Sequence, residues 1–192
     1  TDLNGDYVLD KEDLVFAGNA QPRFNGGFGA TVQYKNWSLQ SNFVLTIKRD
    51  VINKAIADYF RSYYKPLDGG ALLPIDQYDY WTPTNTSASY PNPFDFRRAL
   101  LVDAYRYNST LFQEDGSYLK FNSATLSYNF NRDYLQSRFN LTGVRLFMTA
   151  DNIYTFSRYS GPDPELVSEL GYDTSDGYPR ARRFTFGMDI QF

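Results

Sequence analysis

The chain has 192 residues, the usual size of one domain, and carries 19 Lys+Arg against 22 Asp+Glu, a formal net charge of −3. A charge this close to balance excludes the basic surface with which nucleic-acid-binding domains hold phosphates. Cysteine and histidine are both absent, which excludes disulfides, zinc sites of the usual ligands, and catalysis by Ser-His-Asp or Cys-His groups.

Aromatic residues are in excess: 17 Tyr, 16 Phe and 2 Trp make up 18% of the chain. A soluble core does not need so many tyrosines, whereas Tyr and Trp are enriched where a membrane protein meets the lipid–water interface. No apolar run reaches the roughly 18 residues of a transmembrane helix. The low mean hydropathy of −0.51 does not argue against transmembrane strands, because such strands alternate lipid-facing and lumen-facing residues.

Alternation of apolar with polar or small residues predicts five strands. They cover residues 28–34, 37–47, 124–130, 144–151 and 183–192. Between the first two, Lys35-Asn36 has the length of a two-residue hairpin turn. Ahead of the third strand, Leu119 and Phe121 fall on the opposite parity from Ala124, which predicts a β-bulge or emergence of the strand from a bilayer.

The final strand is the most regular, and about ten residues are enough for a tilted strand to cross the hydrocarbon layer. We expect one set of its side chains to face lipid: Phe184, Phe186, Met188, Ile190 and Phe192. We expect the alternate set to face the lumen: Thr185, Asp189 and Gln191.

The predicted connections alternate between short and long. A turn and a helical turn at Asp133–Phe139 make the short ones, whereas residues 48–116 and the stretch before residue 183 are long. Outer-membrane barrels have short periplasmic turns and long extracellular loops. The pattern therefore predicts an all-β fold, an antiparallel transmembrane β-barrel of which only about five strands are present. A soluble sandwich shares the strand alternation and stays open as an alternative.

Several motifs resemble the SusC/RagA-like TonB-dependent outer-membrane transporters, in the family's order and over nearly the whole chain. They are Asp2-Leu-Asn-Gly-Asp-Tyr-Val-Leu-Asp10, Pro22-Arg-Phe-Asn-Gly-Gly27, Tyr80-Trp-Thr-Pro-Thr-Asn85, Glu114-Asp-Gly-Ser-Tyr-Leu-Lys120, Asn152-Ile-Tyr-Thr-Phe156, Tyr159-Ser-Gly-Pro-Asp-Pro-Glu165 and Tyr178-Pro-Arg180. One departure is Tyr7, where the family usually has Gly.

The resemblance implies that the chain is the C-terminal part of a 22-stranded barrel closed by a plug, in the cell outer membrane. Residues 1–26 and 48–116 would be extracellular loops, and residues 183–192 the terminal strand. An exported protein carries a signal peptide, and none is found here. Either the start has been removed by processing or the chain is a piece of a longer one, and we expect the latter. The resemblance further implies import of a bulky nutrient, an oligosaccharide or oligopeptide, with a SusD-like surface lipoprotein and TonB as partners. It implies no catalytic residue.

The acidic segment has the spacing of an EF-hand-like calcium loop. Oxygen ligands at positions 1, 3, 5, 7, 9 and 12 would come from Asp2, Asn4, Asp6, the Val8 carbonyl, Asp10 and Asp13. Oxygens at alternate positions let a tightly turning chain surround one hard cation, so we expect structural calcium here. The alternative is a solvated acidic loop.

Two further groups of residues are candidates for function. Tyr80, Trp81 and Asn85 combine aromatic faces with an amide, which suits contact with a sugar or peptide substrate or, alternatively, packing of the loop. The terminal Phe192 resembles the aromatic end that barrel-assembly machinery recognises.

Asp163 and Glu165 are a carboxylate pair of the kind glycosidases use, but Pro162 and Pro164 bracket the turn, which favours a rigid turn. Arg180, Arg182 and Arg183 suit a solvated rim or lumen face. The chain is therefore not expected to be an enzyme. A secreted, calcium-stabilised glycan-binding β-domain remains as an alternative, and detergent-free fractionation would distinguish it.

Overall fold

The structure is a computed structural model that describes residues 3–6, 11–64, 75–95, 105–106, 109–174 and 177–192, with the side chains of 62–64 outside the description. The chain divides into two compact units. The sheet unit comprises Pro22–Arg49, Gly116–Glu165 and Tyr178–Phe192, and the loop unit comprises Thr1–Gln21, Asp50–Asp115 and Leu166–Gly177.

The sheet unit contains five antiparallel strands and one short helix. The strands are β1 (Phe24–Tyr34), β2 (Trp37–Ile47), β5 (Tyr118–Asn129), β6 (Gly143–Ser157) and β8 (Arg183–Gln191). They lie side by side in chain order, each pairing with the next. All five predicted strands are confirmed. β1 begins four residues before the predicted start and β6 continues to Ser157, because pairing with neighbouring strands extends regular structure beyond the alternating pattern.

The predicted turn, bulge and helical turn are also present. Tyr34 pairs with Trp37, and Lys35 supplies the positive φ of 52° that the two-residue hairpin uses. The register of β5 skips one residue, Asn122, against both of its neighbours. This bulge explains why the apolar parity changes along β5. Helix α2 covers Arg132–Phe139.

Burial in the sheet unit is the inverse of that in a water-soluble protein. Phe186 is 75% exposed, whereas Thr46 and Lys120 are each 3% exposed. Phe28 stacks on Phe43, and Phe43 on Phe121, so one face carries a continuous aromatic row across three strands. Water would disfavour such a face, and a hydrocarbon surrounding would stabilise it.

The loop unit contains the small elements of residues 50–115 and 166–177. They are β3 (Asp50–Asn53), helix α1 (Lys54–Tyr64), β4 (Gln113–Asp115) and β7 (Tyr172–Asp173), and the three strands form a sheet in the order β4-β3-β7. No secondary structure was predicted for residues 48–116. The elements found there could not be predicted from local alternation, because the core that orders them joins residues far apart in the chain. Phe60, Tyr105 and Phe112 are examples.

Neither α1 nor α2 is long and apolar enough to cross a membrane, and the same holds for the other helices of the described residues.

Candidate functional site

The face of the sheet opposite the aromatic row is polar and internally hydrogen-bonded. The Thr125 and Thr149 hydroxyls lie 2.9 Å apart, and Asn42 Nδ2 donates to Ser123 Oγ at 3.1 Å. A closed barrel directs such a face toward its lumen. The alternate residues of β8 predicted for the lumen fit this face, since Thr185 pairs with Thr149.

A buried ion pair lies on the same polar face. Phe121 belongs to the aromatic row, so the preceding residue Lys120 points to the opposite side of β5. Lys120 is almost fully buried, and its Nζ contacts Glu165 Oε2 in the turn that follows β6. Glu165 thus lies 45 positions away in sequence, and no local pattern could have predicted this partner.

The turn that carries Glu165 is rigid. The backbone N–H of Glu165 donates to Asp163 Oδ1 at 2.9 Å, and Arg49 Nη1 donates to the Pro164 carbonyl at 3.3 Å. Both carboxylates therefore have structural partners, as the rigid-turn interpretation expects. We name residues 158–165 together with Lys120 the latch.

A cavity of about 280 Å³ lies beside the latch, and Lys120, Asn152, Thr155, Arg180 and Arg182 are among the residues lining it. Arg183 is not among them, because its Nε and Nη2 donate to Asp151 Oδ2 at 3.0 and 2.8 Å. The three arginines expected at a rim or lumen face therefore differ: one is paired on the sheet and two face a cavity.

The Tyr80 segment makes a compact turn stabilised by Asp79. Asn85 Nδ2 donates to Asp79 Oδ1 at 2.7 Å, and the Ser89 N–H donates to Oδ2 at 2.9 Å. These bonds, that from Asn85 first, lower the pKa of the Asp79 carboxyl below its usual range. The Asn85 amide is thus used within the turn.

The two aromatic candidates of this turn have different surroundings. Tyr80 packs edge-on against Phe94, with 5.9 Å between ring centroids. Trp81 is 41% exposed. Its backbone is held in place, since its N–H donates to the Tyr90 carbonyl. Of the three substrate candidates, Trp81 alone presents much of its side chain to solvent.

Part of the acidic segment is described, and Asp2, Val8 and Asp10 lie outside the described residues. The Leu3 N–H donates to Asp13 Oδ1 at 2.6 Å, and the Asp6 N–H donates to Asn4 Oδ1 at 3.0 Å. The first bond brings the two ends of the segment together, and the second closes a local turn. Within the described residues, no three acidic groups lie close enough to hold a metal ion.

The terminal Phe192 is 90% exposed, and its carbonyl accepts a hydrogen bond from Thr142 Oγ1 at 3.2 Å. This bond ties the end of the chain to the residue that precedes β6.

An open antiparallel sheet with an apolar outer face and a hydrogen-bonded polar face is a segment of a transmembrane β-barrel. Comparison with known proteins agrees. The whole chain aligns with TonB-dependent receptor P3 of Formosa agariphila at 27% identity and with TonB-dependent receptor SusC of Bacteroides thetaiotaomicron at 28%. It spans 18% and 17% of the length of these relatives.

Solved structures share the fold. A chain of the RagAB peptide importer in its open-open state superposes with a TM-score of 0.67 at 21% identity, over 97% of this chain and 20% of the other. The closed-closed state gives a TM-score of 0.66 at 20% identity, over 92% and 18%. No family model matches the sequence. The resemblance predicted from the motifs is confirmed: over its whole length the chain is similar to segments of SusC-like TonB-dependent receptors.

Proposed function

We propose that the complete protein imports a bulky nutrient, an oligosaccharide or an oligopeptide, across the outer membrane. The observation that carries this proposal is the inverted burial of the sheet unit, with exposed Phe186 on one face and buried Thr46 and Lys120 on the other. A barrel built from such strands has a polar interior through which a hydrophilic cargo can pass. The peptide-importer name of the RagAB structures supports the same class of activity.

By the family resemblance, TonB energises the transport, and a SusD-like surface lipoprotein is the extracellular partner. One surface of the loop unit supports the proposal that a protein partner binds. Leu14, Val15, Phe16 and Leu170 are exposed and line a groove of about 430 Å³. Exposed apolar patches of this kind mark interaction sites.

Two local roles accompany the transport function. The acidic segment binds structural calcium, supported by the bond that joins Leu3 to Asp13 and by Gly5, whose φ of 78° turns the chain tightly. Phe192 acts as the recognition end for barrel assembly. Deletion of Phe192 from the complete protein would then lower the amount inserted in the outer membrane, and unchanged surface levels would exclude this role.

The test of the transport function is genetic and biochemical. Cells that express the complete gene should retain the protein in the detergent-extracted outer-membrane fraction and should take up labelled oligosaccharides or oligopeptides, with uptake lost on deletion of the gene or of TonB. Recovery of the protein without detergent would favour the secreted glycan-binding domain. Uptake that is unchanged in the deletion strain, over a broad panel of oligomers, would reject the proposal.

A further inference from the structure

The cavity beside the latch contains two cationic side chains that have no acidic partner. Among the described residues, Arg180 and Arg182 form neither an ion pair nor a hydrogen bond, and both are exposed. The adjacent Arg183 differs, since Asp151 neutralises it at 2.8 Å. The fold thus neutralises one arginine of the three and leaves two facing the cavity.

The other charged side chains that line the cavity are Lys120 and Asp163. Glu165 neutralises Lys120, and Asp163 is buried, with its Oδ1 accepting the Glu165 N–H. The Asp163 carboxylate therefore offsets part of the charge of the two guanidinium groups, and the potential that remains is positive. A recess with low-dielectric walls focuses such a potential and raises the local concentration of anions.

The backbone that carries both guanidinium groups is fixed in place. Asn152, in the irregular part of β6, has a φ of 54°, and its Nδ2 donates to the Ala181 carbonyl at 3.1 Å. Ala181 lies between Arg180 and Arg182, and Arg183 is held by Asp151. Since the backbone is ordered before any ligand arrives, little further ordering entropy opposes binding.

The cavity lies where β5 and β6 continue beyond the end of their register with β8, and part of its lining belongs to the polar face. Lys120, Tyr154 and Thr155 all line it. Lys120 precedes Phe121 and Thr155 follows Tyr154, and these two rings are register partners on the apolar face. Alternation therefore puts Lys120 and Thr155 on the polar face. In a closed barrel, this is the lumen face.

We propose that this cavity binds a carboxylate group of the imported oligomer, with Arg180 and Arg182 as the binding residues. The inference rests on the proposed import function and narrows its substrate class to acidic oligomers. A guanidinium presents paired N–H donors that match the two oxygens of a carboxylate. The volume of about 280 Å³ accommodates one end group or one residue of the cargo, not a whole oligomer.

The test uses the complete protein purified in detergent and isothermal titration with matched probes. A tetragalacturonate is compared with a neutral galactotetraose, and a hexapeptide containing two glutamates with its glutamine counterpart. The first pair detects an acidic sugar and the second an acidic peptide. For one of the pairs, the carboxylated probe should bind about tenfold more tightly than the neutral one, as expected for charged hydrogen bonds. Its affinity should fall as salt is raised.

The double variant R180Q/R182Q should lose this tenfold preference while its affinity for the neutral probe stays unchanged. The variant R180K/R182K, which keeps the charge but not the paired donors, should retain an intermediate affinity. Lys35→Gln is the control for loss of a positive charge outside the cavity. Lys35 lies in the hairpin turn between β1 and β2. Circular dichroism melting checks that all variants are folded.

Three results would overturn the inference. In the first, wild type binds charged and neutral probes equally, which leaves import in place and removes the anion site. In the second, R180Q/R182Q keeps the full preference for the carboxylated probe, which would show that residues other than Arg180 and Arg182 bind the carboxylate. In the third, wild type binds none of the four probes, and then the uptake assay with deletion strains decides separately whether import itself holds.

Discussion

The ring of Phe147 on β6 covers Gly187, its register partner on β8, so closely that a Cβ on the glycine would overlap the ring. The guanidinium of Arg145 lies over the same ring, 5.7 Å from its centroid. Phe147 is thus an aromatic residue on the polar face, where its ring covers the backbone that a glycine leaves bare.

This relationship predicts that Gly187→Ala destabilises the complete protein by about 1–3 kcal/mol, because the ring must leave its position to admit a methyl group. Thermal unfolding followed by circular dichroism measures the loss. The double variant G187A/F147A should recover part of it, since the overlapping ring is gone. An equal loss in the double and single variants would show that the ring is not the cause.

The latch predicts strong coupling between Lys120 and Glu165. Lys120→Met alone leaves a carboxylate without its cation in a largely buried place, and we expect a loss of about 3–5 kcal/mol. The pair K120M/E165L, which removes both charges, should be much less destabilised. A double-mutant cycle of unfolding free energies measures the coupling, and limited proteolysis reports on residues 158–165.

A matched Thr185→Ala variant serves as the control for the latch, since it alters the same polar face without touching a charge. Additive losses of the two single latch variants, with the turn still protected from protease, would contradict the coupling.

The orientation of β8 predicts opposite outcomes for one substitution at adjacent positions. Phe186→Arg places a charge on the lipid face and should cost about 2–4 kcal/mol near the bilayer midplane. Thr185→Arg, on the polar face, should be tolerated much better. Folding of the two complete proteins into lipid vesicles under denaturant titration compares them. Equal costs, or a larger cost at Thr185, would place the apolar residues of β8 in a protein core.

The turn around Asp79 should loosen in acid. Its pKa is lowered in the folded protein, so the stabilisation is present above the unfolded value of roughly 4 and is lost as the pH falls through the lower folded value. Fluorescence of Trp81, two residues away, measures the transition. Asn85→Ala removes the main cause of the lowered pKa and should shift the transition to higher pH. A transition unaffected by Asn85→Ala would rule out this hydrogen bond as the cause.

The calcium proposal predicts ion-dependent order in the acidic segment. Without a cation the carboxylates repel one another, and with calcium the segment should resist protease. Digestion of the complete protein in calcium and in chelator measures the difference, with Asp6→Ala as the test variant. Lys11→Ala, which is not at a ligand position of the motif, is the control. Protection that persists in Asp6→Ala with calcium would reject the site.

The amino-acid sequence was enough to predict the five strands, the hairpin turn at Lys35 and the bulge before Ala124. These features are local. Alternation has a period of two residues, so a strand with one apolar face can be recognised from its own sequence. The family resemblance followed from the order and spacing of short motifs. The candidates Tyr80, Trp81 and Asn85 also came from a motif, although sequence could not tell which of the three keeps a free side chain.

Contacts between residues far apart in the chain became known from the folded structure. The core of the loop unit joins Phe60 with Tyr105 and Phe112, and the latch joins Lys120 with Glu165. The register between β6 and β8 likewise decides which arginine has an acidic partner. It places Asp151 opposite Arg183 and not opposite Arg182. These contacts depend on strand register and on loops that bring residues tens of positions apart together. The identity of one residue does not tell which distant residue will be its partner until the strands are aligned.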